Sequence, residues 1–162
     1  MSGYEARERV SARDRLKRAF DLANSVGVLE FELKNLLSSH LCVVSSGTLE
    51  ECLRLHISEY ARLKSPKYIA QFVAKKSRYL TNLTTEKLVG VLRDFDGTLA
   101  DEINAYMDDR RRSSLNSIIS LRHAVAHGKS PGLSFKQVME YNVVLTEVLD
   151  KLDDIFGRIA LR

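Results

Sequence analysis

An arginine and two histidines stand close together in the last third of this 162-residue chain. They are Arg122, His123 and His127, and Gly128 follows directly. A guanidinium can hold a phosphate through paired hydrogen bonds, and an imidazole can take up or release a proton near neutral pH. These are the two kinds of group that RNA cleavage without a metal requires. Because an arginine and a histidine at this spacing also occur by chance, the surrounding elements must support the hypothesis.

The predicted helix that carries these residues has one polar side. At about 100° per residue, that side consists of Ser113, Asn116, Ser120, His123 and His127. Arg122 points instead into the apolar arc, where its charge needs an acid, a carbonyl, a phosphate or the edge of the fold. Arg122 and His127 are about 140° apart around the helix and roughly 7.5 Å apart along it. We therefore expect them to converge only around the helix end or across a two-fold interface.

The composition favours helices and suits a polyanionic partner. The chain has two prolines and eight glycines, and no segment alternates apolar and polar residues as strands do. Its net charge of +4 fits a polyanionic partner without requiring one. No apolar run approaches the roughly 18 residues of a membrane span. Cys42 and Cys52 lie in apolar surroundings without zinc-site spacing, so we predict buried free thiols in a soluble, cytoplasmic protein.

The N-terminal segment is very basic. Its predicted helix over residues 4–23 contains Arg7, Arg9, Arg13, Arg15, Lys17 and Arg18 around a sparse apolar row of Val10, Leu16 and Phe20. Two interpretations are open, a solvated outer helix and a surface that grips RNA. We predict that residues 1–28 form a basic helix that is part of the bundle or packed on it. Residues 29–162 are predicted to form the main helical domain.

Apolar residues spaced by three and four predict a long helix from Leu29. It either stops at Ser45-Ser46-Gly47 and restarts at a capping box that begins with Thr48, or passes through. The apolar phase continues past the glycine, which favours one long helix ended by Ser65-Pro66. Shorter helices are then predicted over 68–80, from Thr84 or Thr85 to Phe95, and over 99–107, with a turn at 96–98.

The last two predicted helices have clear signals at their ends. Ser113 or Ser114 opens the helix that carries the Arg-His motif, and Gly128 closes it. After a loop over 129–133, a capping box from Ser134 to Gln137 begins a long amphipathic helix. Together the elements predict an all-α, single-domain helical bundle with long antiparallel helices.

Two further motifs allow more than one interpretation. Lys75, Lys76 and Arg78 beside Tyr79 either grip single-stranded nucleic acid or form a solvated face. The segment Asp94-Phe95-Asp96-Gly97-Thr98-Leu99-Ala100-Asp101 resembles the first motif of haloacid-dehalogenase-type phosphatases. That chemistry needs a strand in an α/β sheet with a distant acidic pair. Leu88-Val89-Gly90-Val91-Leu92 resembles such a strand and Asp153-Asp154 resembles the acidic pair, but no other strands are predicted that would build a sheet. We interpret this segment as a turn that mimics the motif.

The segment Leu115-Asn116-Ser117-Ile118-Ile119-Ser120-Leu121-Arg122-His123-Ala124-Val125-Ala126-His127-Gly128 resembles the signature helix of HEPN domains. It is most similar to the RiboL-PSP-HEPN branch, and the similarity extends to Gly47-Thr48-Leu49-Glu50-Glu51, Ser65-Pro66 and the Phe95 region, about residues 29–156. The resemblance implies a HEPN-like bundle. Many members of the wider family are metal-independent endoribonucleases, often toxins or antiphage effectors, that form homodimers with apposed motif helices. Others have lost catalysis.

The resemblance also implies roles for individual residues. It assigns catalysis to Arg122, His127 and His123, the acidic position of the long second helix to Glu50, and supporting positions to Asn116 and Ser120. The implied reaction is attack by the ribose 2′-OH on the adjacent phosphate, giving a 2′,3′-cyclic phosphate and a 5′-hydroxyl. His127 would be general base or acid, His123 or its counterpart in a second copy the complementary group, and Arg122 would stabilise the phosphorane. No metal or other cofactor is expected, and DNA should not be cut.

Two positions depart from the branch pattern, and two histidines lie outside it. Leu121 stands where the branch usually has asparagine, which affects substrate positioning without removing the Arg/His pair. Lys129 stands where one toxin subgroup has a tyrosine that is nucleotidylated, so that mode of neutralisation is not predicted. His40 and His56 are interpreted as ordinary helix residues. The expected partners are an RNA substrate, a second copy through the motif helix, and a cognate antitoxin or system partner protein.

The motif residues also have alternative interpretations. Arg122 is alternatively a packing arginine paired to Glu50 or Asp153. His123 and His127 alternatively bind a metal, although no third ligand stands out. The alternative function is a non-catalytic HEPN module that dimerises or scaffolds RNA or a partner protein.

Overall fold

The computed structural model describes residues 3–25, 31–129 and 134–160. Within these ranges there are seven helices and no strand. The helices are α1 (Tyr4–Ser25), α2 (Phe31–Lys64), α3 (Lys67–Ser77), α4 (Thr85–Phe95), α5 (Gly97–Tyr106), α6 (Asp109–Ala126) and α7 (Phe135–Ala160). The predicted all-α bundle is therefore confirmed. The predicted helix start at Leu29 and most of the 129–133 loop lie outside the described residues.

Helix α2 runs without interruption through Ser45-Ser46-Gly47. The Thr48 hydroxyl donates a hydrogen bond to the carbonyl of Val44, one turn earlier in the same helix, at 2.9 Å. Thr48 is therefore an interior residue of α2 and does not cap a new helix. A glycine in a helix interior costs about 1 kcal/mol relative to alanine. Leu41 and Leu49, on either side of the glycine, are fully buried, and each such side chain contributes roughly 1.5–3 kcal/mol. Burial outweighs the glycine, and the prediction of one long helix is confirmed.

Helix α2 is central to the bundle and packs against α1, α3, α6 and α7. Ion pairs show that α1 and α2 are antiparallel. Arg9 lies 2.6 Å from Glu59 and Arg15 lies 2.9 Å from Glu51, so the residue numbers rise along one helix as they fall along the other. The core between the helices includes Leu53, Leu88, Leu92, Ile103, Leu115, Ile118, Leu145, Leu152 and Ile155.

Helix α1 uses both apolar and charged side chains to pack on the bundle. Its buried residues are Ala12, Leu16, Phe20 and Ala23. Val10, predicted to belong to the apolar row, is 60% exposed. Arg9 pairs with Glu59, and Arg13 pairs with Asp153 of α7. Because carboxylates of the bundle engage these arginines, the structure favours an outer helix over an RNA-gripping surface at these positions. The division at residue 28 stays a prediction.

The predicted start of α6 was wrong. The helix begins at Asp109, several residues before Ser113 or Ser114. Asp108 is the N-cap, and its side chain accepts a hydrogen bond from the Arg111 N–H at 2.8 Å. An aspartate at this position caps the helix and also stabilises the positive end of the helix dipole. The serines therefore lie inside the helix.

Two other predicted boundaries also changed. Helix α5 begins at Gly97, inside the predicted turn, because the Asp96 side chain accepts a hydrogen bond from the Thr98 N–H at 2.8 Å. Helix α3 ends at Ser77 and does not reach Leu80. The segment between α3 and α4 is therefore longer than predicted.

Other predicted features are confirmed. Thr84 caps α4 by accepting a hydrogen bond from the Lys87 N–H at 3.3 Å. Ser134 and Gln137 form the reciprocal hydrogen bonds of a capping box, at 3.2 and 3.3 Å between backbone nitrogen and side-chain oxygen.

The two cysteines are free and buried, as predicted. Burial raises the pKa of the Cys42 thiol to about 11 and that of Cys52 to about 12, so both thiols stay protonated at neutral pH. None of the helices in the described ranges combines the length and the apolar character needed to cross a membrane.

Candidate functional site

The carboxyl end of α6 is shaped by Gly128. Its φ of +71° lies in the left-handed region, which glycine adopts without a steric penalty. The Gly128 N–H donates to the carbonyl of Val125 at 3.0 Å, and the Lys129 N–H donates to that of Ala124 at 3.0 Å. These are the two hydrogen bonds of a Schellman motif. The predicted helix end is confirmed, and His127 becomes the C-cap residue.

His123 and His127 form an exposed pair at this helix end. Their ring centroids are 4.4 Å apart and the ring planes are inclined by 66°, an edge-to-face contact. Both side chains are exposed, as is Ser120 on the same side of the helix. Two imidazoles are therefore open to a ligand and close to each other, as the predicted polar stripe requires.

Arg122 is half-buried on another side of α6. Its Nη1 donates a hydrogen bond to Oδ1 of Asn82, in the segment between α3 and α4. The alternative prediction of an ion pair with Glu50 or Asp153 was wrong, since neither carboxylate pairs with it and Asp153 instead pairs with Arg13. The partner of Arg122 is a neutral amide. This bond orients the guanidinium without cancelling its charge.

Asn82 has an unusual backbone conformation that Glu50 stabilises. Its φ of 53° is the only positive value of a non-glycine residue in the described ranges, and asparagine tolerates that region better than most residues. The Asn82 N–H donates to Oε1 of Glu50 at 2.6 Å. The Ser46 hydroxyl donates to the same oxygen at 3.3 Å. Glu50 thus acts on Arg122 indirectly, by fixing the residue that orients it.

Asn116 secures the other end of the same segment. Its Oδ1 accepts a hydrogen bond from the backbone N–H of Thr85 at 2.8 Å. Thr85 is the first residue of α4 and is fully buried. Asn116 therefore connects α6 to the chain three residues after Asn82. Its role in the structure is to position this segment.

The structure brings the candidate residues into two groups. One contains Glu50, Asn116 and Arg122, connected through Asn82 and Thr85. The other is the histidine pair. Arg122 forms a hydrogen bond with neither histidine in the described structure, as their positions around α6 predict. Nowhere in the described part of the chain do three or more potential His, Cys, Asp or Glu ligands gather as a metal site would need.

The phosphatase-like segment joins two helices. Asp94 is exposed near the end of α4, and Asp96 caps α5. The residues described before it belong to α4, so the strand that the phosphatase reaction requires is absent from this part of the structure. The structure supports the interpretation that this segment only resembles the phosphatase motif. The turn is shorter than predicted, because Gly97 already belongs to α5.

A second group of titratable side chains lines a cavity of about 590 Å³ between α1, α2 and α7. His56 is 3% exposed, and its ring stacks on Phe156 with centroids 4.7 Å apart. Its Nε2 lies 2.9 Å from Oδ1 of Asp153, although the contact lacks hydrogen-bond geometry. Burial lowers the pKa of His56, and the contact with Asp153 opposes that shift. The prediction of an ordinary helix residue fits the exposed His40 but not His56.

Sequence reasoning missed Asn82. The available signal was an asparagine in a short polar segment between two helices, where a left-handed residue is common. That signal indicates a turn residue but not its partner. The hydrogen bond to Arg122 spans 40 residues of chain and follows from the packing of α6 beside this segment.

An all-α bundle whose Arg-His motif lies at the carboxyl end of a core-lining helix defines a HEPN-type domain. The chain belongs to the RiboL-PSP-HEPN family, which matches residues 7–158. The match includes most of α1, so it extends beyond the similarity noted from the motifs. No curated protein and no solved structure matches the chain.

Proposed function

We propose that the protein is an endoribonuclease that cleaves RNA without a metal ion and leaves 2′,3′-cyclic phosphate and 5′-hydroxyl ends. The observation that carries this proposal is the hydrogen bond between Asn82 and Arg122, because a neutral amide orients the guanidinium and leaves its charge available. His123 and His127 add two exposed imidazoles on the last turn of the same helix. Membership of the family supports an RNA-related function.

The proposed reaction needs one base, one acid and one cation. One imidazole accepts the proton of the ribose 2′-OH as its oxygen attacks the adjacent phosphorus. The bond from phosphorus to the 5′-oxygen then breaks, and the leaving oxygen takes a proton from the other imidazole, which enters the reaction protonated. Arg122 stabilises the extra negative charge that develops on the phosphorane oxygens. His127 and His123 fill the two proton-transfer roles.

We further propose a homodimer in which two α6 helices face each other across a two-fold axis. Arg122 and His127 project from different sides of one helix, so a second copy could place its own histidine beside the first copy's arginine. A cytoplasmic location is part of the proposal and is supported by the two buried free thiols. A toxin or antiphage role, and a cognate antitoxin or system partner, are predictions that depend on the resemblance alone.

The test is cleavage of RNA in excess chelator, scored for cyclic phosphate ends. We expect cleavage by the wild type and a loss of about 100-fold or more in both Arg122→Ala and His127→Ala, since one charge-stabilising donor or one proton-transfer group typically contributes that much. DNA of the same sequence should stay intact, because it lacks the attacking hydroxyl.

Exposed residues outside the site provide matched controls. Arg93→Ala and His40→Ala remove the same side-chain types from α4 and α2 and should cleave like the wild type. Size measurements must show the same oligomeric state for all variants. Full activity in His127→Ala with the fold intact would contradict the proposed chemistry.

A non-catalytic scaffold is the second candidate function. The observation in its favour is that Arg122 is half-buried and forms a hydrogen bond with neither His123 nor His127 within the described structure, so one copy of the chain does not bring the arginine and the imidazoles together. A scaffold role predicts that Arg122→Ala lowers stability and dimer formation, while the wild type leaves RNA intact. The chelator assay together with a denaturation curve of this variant separates the two functions.

A further inference from the structure

The segment from residue 60 to residue 85 carries the chain's whole excess of positive charge. It contains six basic residues and no acidic residue. The other 136 residues contain 19 basic and 21 acidic side chains, so their net charge is −2. The basic character of the protein is therefore local to α3 and its flanks, and a polyanion would be attracted to this region.

The basic residues of α3 and of its C-cap, Arg78, are not neutralised by neighbours. Lys67, Lys75, Lys76 and Arg78 are all exposed, and none of them belongs to an ion pair within the described structure. The arginines Arg9 and Arg13 of α1 differ, because carboxylates of α2 and α7 engage them. Positive charge on α3 and Arg78 is thus available to a ligand, whereas Arg9 and Arg13 of α1 are already engaged by carboxylates.

Aromatic rings lie exposed among these charges. Tyr68 is 81% exposed, Phe72 is 58% exposed and Tyr79 is 80% exposed. Tyr68 and Phe72 are one helical turn apart, roughly 6 Å along the axis. The Lys76 ammonium lies 5.6 Å from the centre of the Phe72 ring. A group of exposed rings on one surface, unlike a ring exposed singly, is typical of an interaction site.

Two adjoining cavities give this surface its shape. One, of about 370 Å³, is lined by Phe72, Lys75, Lys76, Arg78 and Tyr79. The next, of about 420 Å³, shares Phe72 and Lys76 and is otherwise mostly apolar, with Asp94 on one wall. The first suits a phosphate beside a stacked base. The second suits a base but repels a phosphate because of Asp94.

We propose that the basic-aromatic surface formed by Tyr68, Phe72, Lys75, Lys76, Arg78 and Tyr79 binds single-stranded RNA and leads it to Arg122. The identification of the ligand as RNA rests on the proposed function. Stacking on exposed rings combined with backbone neutralisation is how proteins hold single strands without reading sequence. A base in a duplex offers no free face to Tyr79, so the surface discriminates against double-stranded RNA.

The connection to Arg122 favours RNA over an anionic membrane. Tyr79 is three residues before Asn82, so their α-carbons are at most about 11 Å apart. Asn82 holds the guanidinium of Arg122. A strand bound at Tyr79 therefore passes within a few nucleotides of the candidate catalytic arginine. A membrane surface gains nothing from that proximity.

The test measures binding of a fully 2′-O-methylated single-stranded RNA, which lacks the attacking hydroxyl and cannot be cut. Fluorescence anisotropy should show that Lys75→Gln with Arg78→Gln weakens binding about tenfold and makes the affinity less dependent on salt. Tyr79→Ala should also weaken binding about tenfold, since one stacked base is lost, but with an unchanged salt dependence.

Matched variants control for charge and ring number. Lys34→Gln with Lys136→Gln removes the same charge from exposed positions elsewhere, and Tyr4→Ala removes an exposed ring from α1. Both should bind like the wild type. Equal binding by the α3 variants and these controls overturns the proposal, as does equal affinity for duplex RNA. Preferential binding to phosphatidylserine vesicles with no binding to RNA also overturns it.

The binding and cleavage assays test the surface proposal and the nuclease proposal independently of each other. If RNA is cleaved but the α3 variants bind and cleave like the wild type, the surface proposal is wrong and the nuclease proposal stands. If the wild type binds the methylated RNA through α3 but leaves ordinary RNA intact, the surface proposal is supported and the nuclease proposal is wrong.

Discussion

At the scale of single residues, Asn82 connects the candidate site residues Arg122 and Glu50. Its side chain orients Arg122, and its backbone accepts a left-handed conformation while donating to Glu50. A side chain without a polar oxygen would lose the hydrogen bond from Arg122. A residue that disfavours positive φ would strain the backbone conformation in which the residue 82 N–H donates to Glu50. Both requirements are met by asparagine.

Asn82→Gly and Asn82→Ala separate these two requirements. Glycine adopts positive φ freely, so the glycine variant should be more stable than the alanine variant by about 1 kcal/mol. Both variants release Arg122, and RNA cleavage should fall roughly tenfold or more because the guanidinium is no longer held in place. Urea denaturation and the chelator assay provide the measurements. Unchanged cleavage in both variants would show that Asn82 does not position Arg122.

At the scale of elements, two glycines have opposite effects on their helices. Gly47 lies inside α2, and a Cβ built on it meets no atom within 4 Å. Gly128 ends α6 with a φ of +71°, and a Cβ there also meets open space. The available volume is the same, but the backbone conformations differ. The sequence predicted that Gly128 ends its helix, whereas at Gly47 it left open whether the helix stops or passes through.

Replacing these two glycines by alanine should therefore change the stability of the protein in opposite directions. Gly47→Ala should stabilise the protein by about 0.5–1 kcal/mol, because alanine is the better residue in a helix interior. Gly128→Ala should destabilise it by roughly 1 kcal/mol, because an L side chain disfavours positive φ. It should also weaken RNA cleavage by loosening the helix end that places His127. Thermal unfolding of both variants tests the contrast, and a loss of stability in Gly47→Ala would contradict it.

At the scale of the whole molecule, a cluster of charged side chains connects α1, α2 and α7. Arg9 and Arg13 of α1 reach Glu59 of α2 and Asp153 of α7. His56 of α2 contacts the same aspartate. These groups meet beside one cavity and connect three helices. Protonation within this cluster should therefore affect the stability of the whole fold.

The protein should lose stability as the pH falls below about 6.5. Burial holds the pKa of His56 below its ordinary value, so the unfolded chain takes up this proton at a higher pH than the folded one. His56 therefore does not change the free energy of unfolding above that pH, and it lowers the free energy of unfolding increasingly below it. Burial alone would raise the pKa of Asp153, but contacts with His56 and Arg13 lower it, which adds a further loss below about pH 4.

The variant that checks this is His56→Phe, which keeps a ring against Phe156 but cannot take up a proton. Urea denaturation at pH 7.5 and 5.5 should show a smaller loss of stability in this variant than in the wild type. His40→Gln, which changes an exposed histidine, should behave like the wild type. An equal loss in all three proteins would mean that His56 is not the responsible group.

The sequence by itself determined the helices and the chemistry that they could carry. Apolar residues at a spacing of three and four show which side of a helix is buried, and the Arg-His motif and its closing glycine lie within 14 consecutive residues, from Leu115 to Gly128. The fold class and the exposed histidine pair follow from such local patterns, because helical periodicity and end signals are set by neighbours along the chain.

Only the tertiary structure decided which residues act on one another. Arg122 meets Asn82 across 40 residues and Asn82 meets Glu50 across 32, and no spacing along the chain encodes either contact. Burial of the core leucines sets how α2, α6 and the α3–α4 segment come together, and hydrogen bonds then form between whichever polar groups are adjacent. The partner of the guanidinium is thus a consequence of packing.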